Sequence, residues 1–206
     1  MALEITQDGT AQTLTGAANT ATIPVTVNTN LNRTMLVCVQ YWDAGTGRRV
    51  SIIRWNTLQT LTRQVRINNV NWITEIWSLN GSAQTSSNVV ITWSGVVRYV
   101  AGVTCWYNVL QGASTFRNVV STTGSSSSPS IAIGSAAGDV VVDSMAANGG
   151  STVTATVGAN QNQQWNLSRG TFFGGGVRGC CSDEPGSATT TMSWSLSQSV
   201  LWATAA

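Results

Sequence analysis

Few residues in this chain are equipped for chemistry. It has no His and no Lys, so all ten basic residues are Arg, set against eight Asp and Glu. Imidazole bases, imidazole metal ligands and Schiff-base amines are therefore missing, which leaves carboxylates, thiols, hydroxyls and phenols. Two carboxylates suffice for glycoside hydrolysis. The best-placed pair, Asp139 and Asp143 in GDVVVD, would share one face of a strand about 13 Å apart, wider than either glycosidase geometry. Asp183 and Glu184 precede Pro185-Gly186, a pair suited to the centre of a type II turn, and that turn accounts for them. The inventory predicts a protein that is not an enzyme.

The four cysteines include no C-x-x-C pair, and with no His beside them neither a metal site nor a cofactor is expected. Cys38 lies in MLVCVQYW and Cys105 in GVTCWYNV, both apolar runs in which buried thiols are the ordinary reading. The alternative is a bridge between these two. It would close a loop of 67 residues, from 38 to 105, and restrict the unfolded chain by roughly 4 kcal/mol. Cys180 and Cys181 are adjacent in GGGVRGCCSDEPG; they could bond each other only in a strained ring, and one of them facing a neighbouring subunit is a possible use.

The elements that must position these groups are strands. Apolar residues alternate with polar ones almost throughout, on runs of five to ten bounded by Gly, Asn, Ser or Asp. In TTTMSWSLS, Met192, Trp194 and Leu196 face one way and Thr191, Ser193 and Ser195 the other, the pattern of a half-buried strand. The longer apolar runs MLVCV and DVVVD suggest strands near the middle of a sheet. The spacing predicts fifteen strands, beginning with one near residues 2–7 and including separate strands at 87–94 and 97–108, and no helix. The expected class is all-β, a sandwich. With 206 residues one core can form, and residues 1–206 read as one domain with a flexible Ser-rich loop at 121–130 and a Gly-rich loop at 169–187. The N-terminal arm could pair with an edge of its own sheet or reach a neighbour.

A net charge of +2, with charged residues at only 9% of the chain, is too little for a phosphate-binding stripe, and nucleic acid is not an expected partner. No run of 18 apolar residues occurs, and Met1 to Gly9 lacks the pattern of an export signal, so membrane insertion is not expected. Contacts must come from elsewhere. RGTFFGGGVRGCC carries Arg169, Phe172, Phe173 and Arg178 in a Gly-rich stretch, unusual apolar content for a solvated loop, and it is the candidate contact segment. The equal alternative is that the two Phe end a strand with one of them buried. Of nine Trp, most belong in the core, while Trp55, Trp72 and Trp165 lie nearer strand ends and are the candidates for exposed aromatic platforms, on which a glycan could stack.

The order of motifs NRTMLVCVQYW, VNWITEIWSLNGSAQTSSNVVITWS, YVAGVTCWYNVLQGAS, SSSSPSIAIGSAAGDVVVDSMAANGG and EPGSATTTMSWSLSQSVLWATAA resembles a jelly-roll-like β-sandwich domain of phage-associated virion and bacterial extracellular structural proteins, along nearly the whole chain. The cysteines at 38 and 105 and the CC pair depart from that pattern. The resemblance implies a jelly-roll-like two-sheet antiparallel β-sandwich and no catalytic residues. It leads to the expectation of a virion structural protein, a phage capsid decoration or other surface subunit that contacts copies of itself and other structural subunits at the virion surface. The alternative is an extracellular or cell-surface module: a filament subunit, an adhesin or a carbohydrate-binding domain.

Overall fold

The computed structural model describes residues 4–82, 86–113 and 115–206; the start of the first expected strand, before residue 4, lies outside them. Sixteen strands and a single 3-10 turn at Phe172–Gly174 are present among the described residues, and every strand pairing is antiparallel. The protein is an all-β sandwich, and its strands divide into three sheets rather than two.

The first sheet is organised by one long strand. β8 (Ser86–Tyr107) pairs on one edge with β2 (Gln12–Thr26) and β1 (Thr6–Gln7), so the N-terminal arm docks on its own sheet. On its other edge β8 pairs first with β4 (Val50–Trp55) and then with β3 (Thr34–Trp42). Sequence patterning expects two strands here, 87–94 and 97–108; the chain instead runs through as one strand, with residues 94–96 left without ladder partners at a bend. A bulge at Ala18/Thr20 of β2 bends the partner strand at the same place, as bulges do. The ribbon folds back far enough for Asn28 to donate its backbone N–H to Asp8 Oδ2 at 3.0 Å. β5 (Gln59–Thr60) and β6 (Thr62–Asn69) are the two rims of this sheet, β6 held by β7 (Trp72–Asn80), and only Leu61 separates them. The sheet is thus a nearly closed barrel filled by Val37, Tyr41, Ile53, Trp55, Ile91 and their neighbours. Tyr41 meets Trp93 edge-on, with ring centroids 6.4 Å apart, and Trp93 stacks on Tyr99 at 4.7 Å.

A second sheet, in the order β13 (Asn162–Arg169), β14 (Val177–Pro185), β11 (Val140–Asn148), β16 (Val200–Ala205) and β9 (Ser121–Ser126), covers the outside of β8, β3 and β7. A third, β10 (Ser130–Ile133), β15 (Thr190–Leu196) and β12 (Ala155–Val157), covers the far face of the second. Stacking explains the long apolar runs. On β3, Met35, Val37, Val39 and Tyr41 fill the barrel while Leu36 and Cys38 face the second sheet. On β11, Ala146 faces the barrel wall while Met145 and Ala147 face the third sheet. Strands with both faces covered must be apolar on both.

Two segments expected as loops are strands. Ser121–Ser126 pairs with β16 along its whole length, Val200↔Ser126 through Ala205↔Ser121; its Ser and Thr side chains alternate between exposed and half-buried, which an edge strand tolerates because the partner satisfies the backbone. Of the Gly-rich stretch 169–187, residues Val177–Pro185 form β14, an interior strand of the second sheet. Gly179, Cys180, Cys181 and Ser182 are all buried there, because small side chains fit between close-packed layers.

Candidate functional site

What remains of the Gly-rich stretch is a tight connection, Gly170 to Gly176, between β13 and β14. Its ends are pinned: Ser151 N–H donates to Gly170 O at 2.9 Å and Gly176 N–H to Thr171 O at 2.8 Å. Gly175 adopts φ +71° and lies flat on the Trp42 indole, where a Cβ would overlap the ring. That combination requires glycine. The turn between the pins lifts Phe172 and Phe173 outward in an edge-to-face pair, centroids 5.4 Å apart. Phe173 is 99% exposed and Phe172 36%.

Around this turn the fold gathers cations. The Arg98 guanidinium lies 5.1 Å from the Trp42 ring centroid, a cation–π contact, and beside Gly170 and Gly174; its Nη1 is buried with no hydrogen-bond partner among the described residues. Arg169 is exposed and close enough to Tyr99 to oppose the rise in its pKa that burial causes. Arg48 donates to Val96 O at the bend of β8, next to exposed Arg49. The one carboxylate nearby, Asp43, is buried and occupied by the backbone N–H groups of Gly45 (2.5 Å) and Thr46 (3.2 Å). The loop end therefore presents Phe172, Phe173 and half-exposed Trp42 beside Arg98 and Arg169, with Arg48 and Arg49 further along at the bend of β8.

The opposite end carries the opposite sign. Glu4, Asp8, Asp139, Asp183 and Glu184 lie toward it with Arg33 and Arg117; Asp8 and Asp183 are buried and accept from Asn28 and from Asn162 and Gln164, Arg117 pairs with Asp139, and Arg33 is bound to the carbonyls of Asn28, Asn30 and Ser82, which leaves Glu4 and Glu184. A mostly apolar cleft of about 150 Å³ opens here between Leu36, Trp106, Phe116 and Val140. Its charged lining, Arg117 and Asp139, is spent on that ion pair.

The structure thus brings together three residues of the expected contact segment, Arg169, Phe172 and Phe173, and separates the fourth. Arg178 points from β14 into its own hydrogen bonds, Nε to Val153 O (2.7 Å) and Nη1 to Asn166 Oδ1 (3.1 Å). The three Trp expected at the surface are inside. Trp55 is wholly buried in the barrel, Trp72 donates its Nε1–H to Gly176 O at 2.9 Å, and Trp165 donates to Gln40 Oε1 at 3.3 Å between the sheets. A place near a strand end says little about exposure when another sheet lies across it. The partners that patterning missed are Trp42, Arg48 and Arg98; the single Arg within the apolar run VVRYVAG was the available signal for Arg98.

The thiols are also rearranged. All four are free and buried. Met35 pairs with Cys105, and Cys38 with Gly102, so Cys105 faces the barrel interior and Cys38 the second sheet. A bridge between them is excluded because they lie on opposite faces. Cys180 and Cys181 likewise point to opposite sides of β14, and neither reaches the surface for a neighbouring subunit.

Asp139 and Asp143 do not form a site. Asp143 is fully buried on the far side of β11 and accepts Ser182 N–H and Oγ–H at 2.7 Å each and Trp194 Nε1–H at 2.6 Å. Burial raises its pKa to about 6 against those three donors. Glu75, equally buried, accepts Tyr41 O–H (2.7 Å) and Trp77 Nε1–H (2.9 Å) and lies 3.4 Å from Arg66 Nε; burial raises its pKa too. Both carboxylates are closed off by protein donors. No group of three His, Cys, Asp or Glu able to hold a metal occurs among the described residues.

No family model matches this chain, and neither the curated proteins nor the solved structures contain a match.

Proposed function

We propose that this chain is a non-enzymatic structural subunit, a capsid decoration or other surface protein of a virion, that works by seating its loop end on neighbouring subunits. The observation that carries the reading is Phe173, fully exposed beside Phe172 on a turn fixed by the Gly175–Trp42 contact. Phe173 buries almost nothing, so burial on folding does not account for it, and exposed aromatics beside Arg are what interface centres are enriched in. The neighbour that suits it is a second copy. Arg169 and Arg98 at the loop end meet Glu4 and Glu184 at the other, a heterologous head-to-tail contact that closes into rings or runs into filaments. The surface between the ends has little charge to oppose association.

The extracellular filament reading shares this contact and differs in location. A sugar-binding platform on Trp55, Trp72 or Trp165 has lost its support, since all three rings are inside. The test is light scattering across a concentration series for the wild type and the Phe172→Ser/Phe173→Ser variant. The wild type is expected to grow into oligomers that shrink in high salt, with the variant remaining monomeric. A wild type that stays monomeric throughout would sink the self-contact.

A further inference from the structure

The sequence leaves the cysteines without assigned partners, and the packing of β3 against β14 supplies one. Gln40 of β3 reaches the Cys180 carbonyl at 3.5 Å, and a Cβ on Gly179 would lie 2.8 Å from Gln40 Oε1, so Gln40 stands over Gly179. Two residues back along β3 and two forward along β14, on the same facing surfaces, Cys38 stands over Cys181. A second pair checks this alignment independently. Gly102 is the β8 neighbour of Cys38, Trp165 is the β13 neighbour of Cys181, and the Trp165 ring fills the space a Gly102 side chain would take, 2.6 Å from its Cβ position. A large-on-small contact thus flanks a thiol-on-thiol one. Both thiols belong to one apolar cluster, with Cys38 1% exposed and Cys181 0%, and after burial it is the neighbouring Cys38 thiol that raises the Cys181 pKa.

We propose that Cys38 and Cys181 form a disulfide that joins the barrel to the second sheet when the chain folds in the presence of a small-molecule disulfide. Thiolate from one cysteine attacks that disulfide, expelling one small thiol and leaving a mixed disulfide. The second cysteine, as thiolate, displaces the other small thiol, so the protein loses two hydrogens and the oxidant becomes two thiols. Pairing is selective by geometry: Cys105 faces the barrel interior, and Cys180 faces the third sheet with its Sγ 3.5 Å from Asn166 Oδ1. The bond forms during folding, because in the finished protein both thiols are sealed from solvent. The bridge spans residues 38 to 181, most of the chain, so it restricts the unfolded state strongly. This inference is independent of what the loop end contacts.

The experiment is to unfold the full chain, refold it in oxidised and reduced glutathione, alkylate every accessible thiol under denaturing conditions, and map peptides by mass. Two of the four thiols are expected to escape alkylation, with a linked peptide containing Cys38 and Cys181 and a denaturation midpoint above that of the reduced protein. The Cys105→Ala/Cys180→Ala variant, which keeps only the pair in question, should still lose both alkylation sites. Four alkylated thiols in the refolded wild type, or a link through Cys105 or Cys180, would overturn the assignment.

Discussion

Trp165 and Phe173 are eight residues apart, yet one lies between two sheets and the other stands in water. Trp165 belongs to a strand whose inner face is covered by β8, with Gly102 leaving room for the ring and Gln40 accepting its N–H. Phe173 belongs to a turn whose backbone is tied down at Thr171 and against Trp42, so its side chain has no inward path. The same kind of residue is therefore packed in one place and exposed in the other, and the difference is set by whether a second layer lies opposite.

Substitutions should separate these two roles. Trp165→Ala empties a close-packed interlayer and leaves Gln40 Oε1 without its donor, and it should cost about 3–5 kcal/mol in denaturant-monitored stability. An effect below about 1 kcal/mol would mean that the layers collapse to fill the gap.

The interior also holds a titrating group, and the pH profile probes it. Asp143 has a folded pKa raised to about 6 from 3.8, so the folded state holds its proton more tightly than the unfolded state. The wild type should lose stability relative to Asp143→Asn as pH rises from about 4 to 6, by about 3 kcal/mol at 1.36 kcal/mol per unit, with no further change from this group above that. Parallel unfolding curves for the two proteins at pH 4 and 7 would show that Asp143 is not the burdened carboxylate.

At the loop end the expected effect on stability is the smallest. Phe173→Ser should change the unfolding free energy by no more than about 0.5 kcal/mol while weakening self-association in light scattering. Arg98→Gln should weaken association less than the loss of both Phe and should lower its salt sensitivity. A Phe173→Ser protein that unfolds much more easily would place that ring in a packing role and erase the contrast with Trp165.

Much of the fold was legible. The alternation in TTTMSWSLS correctly assigns Met192, Trp194 and Leu196 to one buried face, and the unbroken runs around Cys38 and Val141 mark strands interior to their sheets. The Ser-rich β9 was not legible, because an edge strand can draw its stability from a partner rather than from its own apolar face. Of the candidate site, Phe172, Phe173 and Arg169 could be named from composition. Trp42 and Arg98 could not be joined to them, since they arrive from β3 and β8.

The sequence by itself determines the period of the backbone, and with it which side chains share a face of each strand. That is enough to put Cys38 and Cys105 in strands, to make the chain all-β and to leave it without a His or Lys for catalysis. Only the tertiary structure decides which faces meet. It turns Cys38 toward Cys181 instead of Cys105, covers Trp55, Trp72 and Trp165, and brings Arg98 to the turn that carries Phe173. Periodicity is a local property of the chain, whereas the contact between two sheets is a relation between segments as far as 157 residues apart, as Gln7 and Gln164 are.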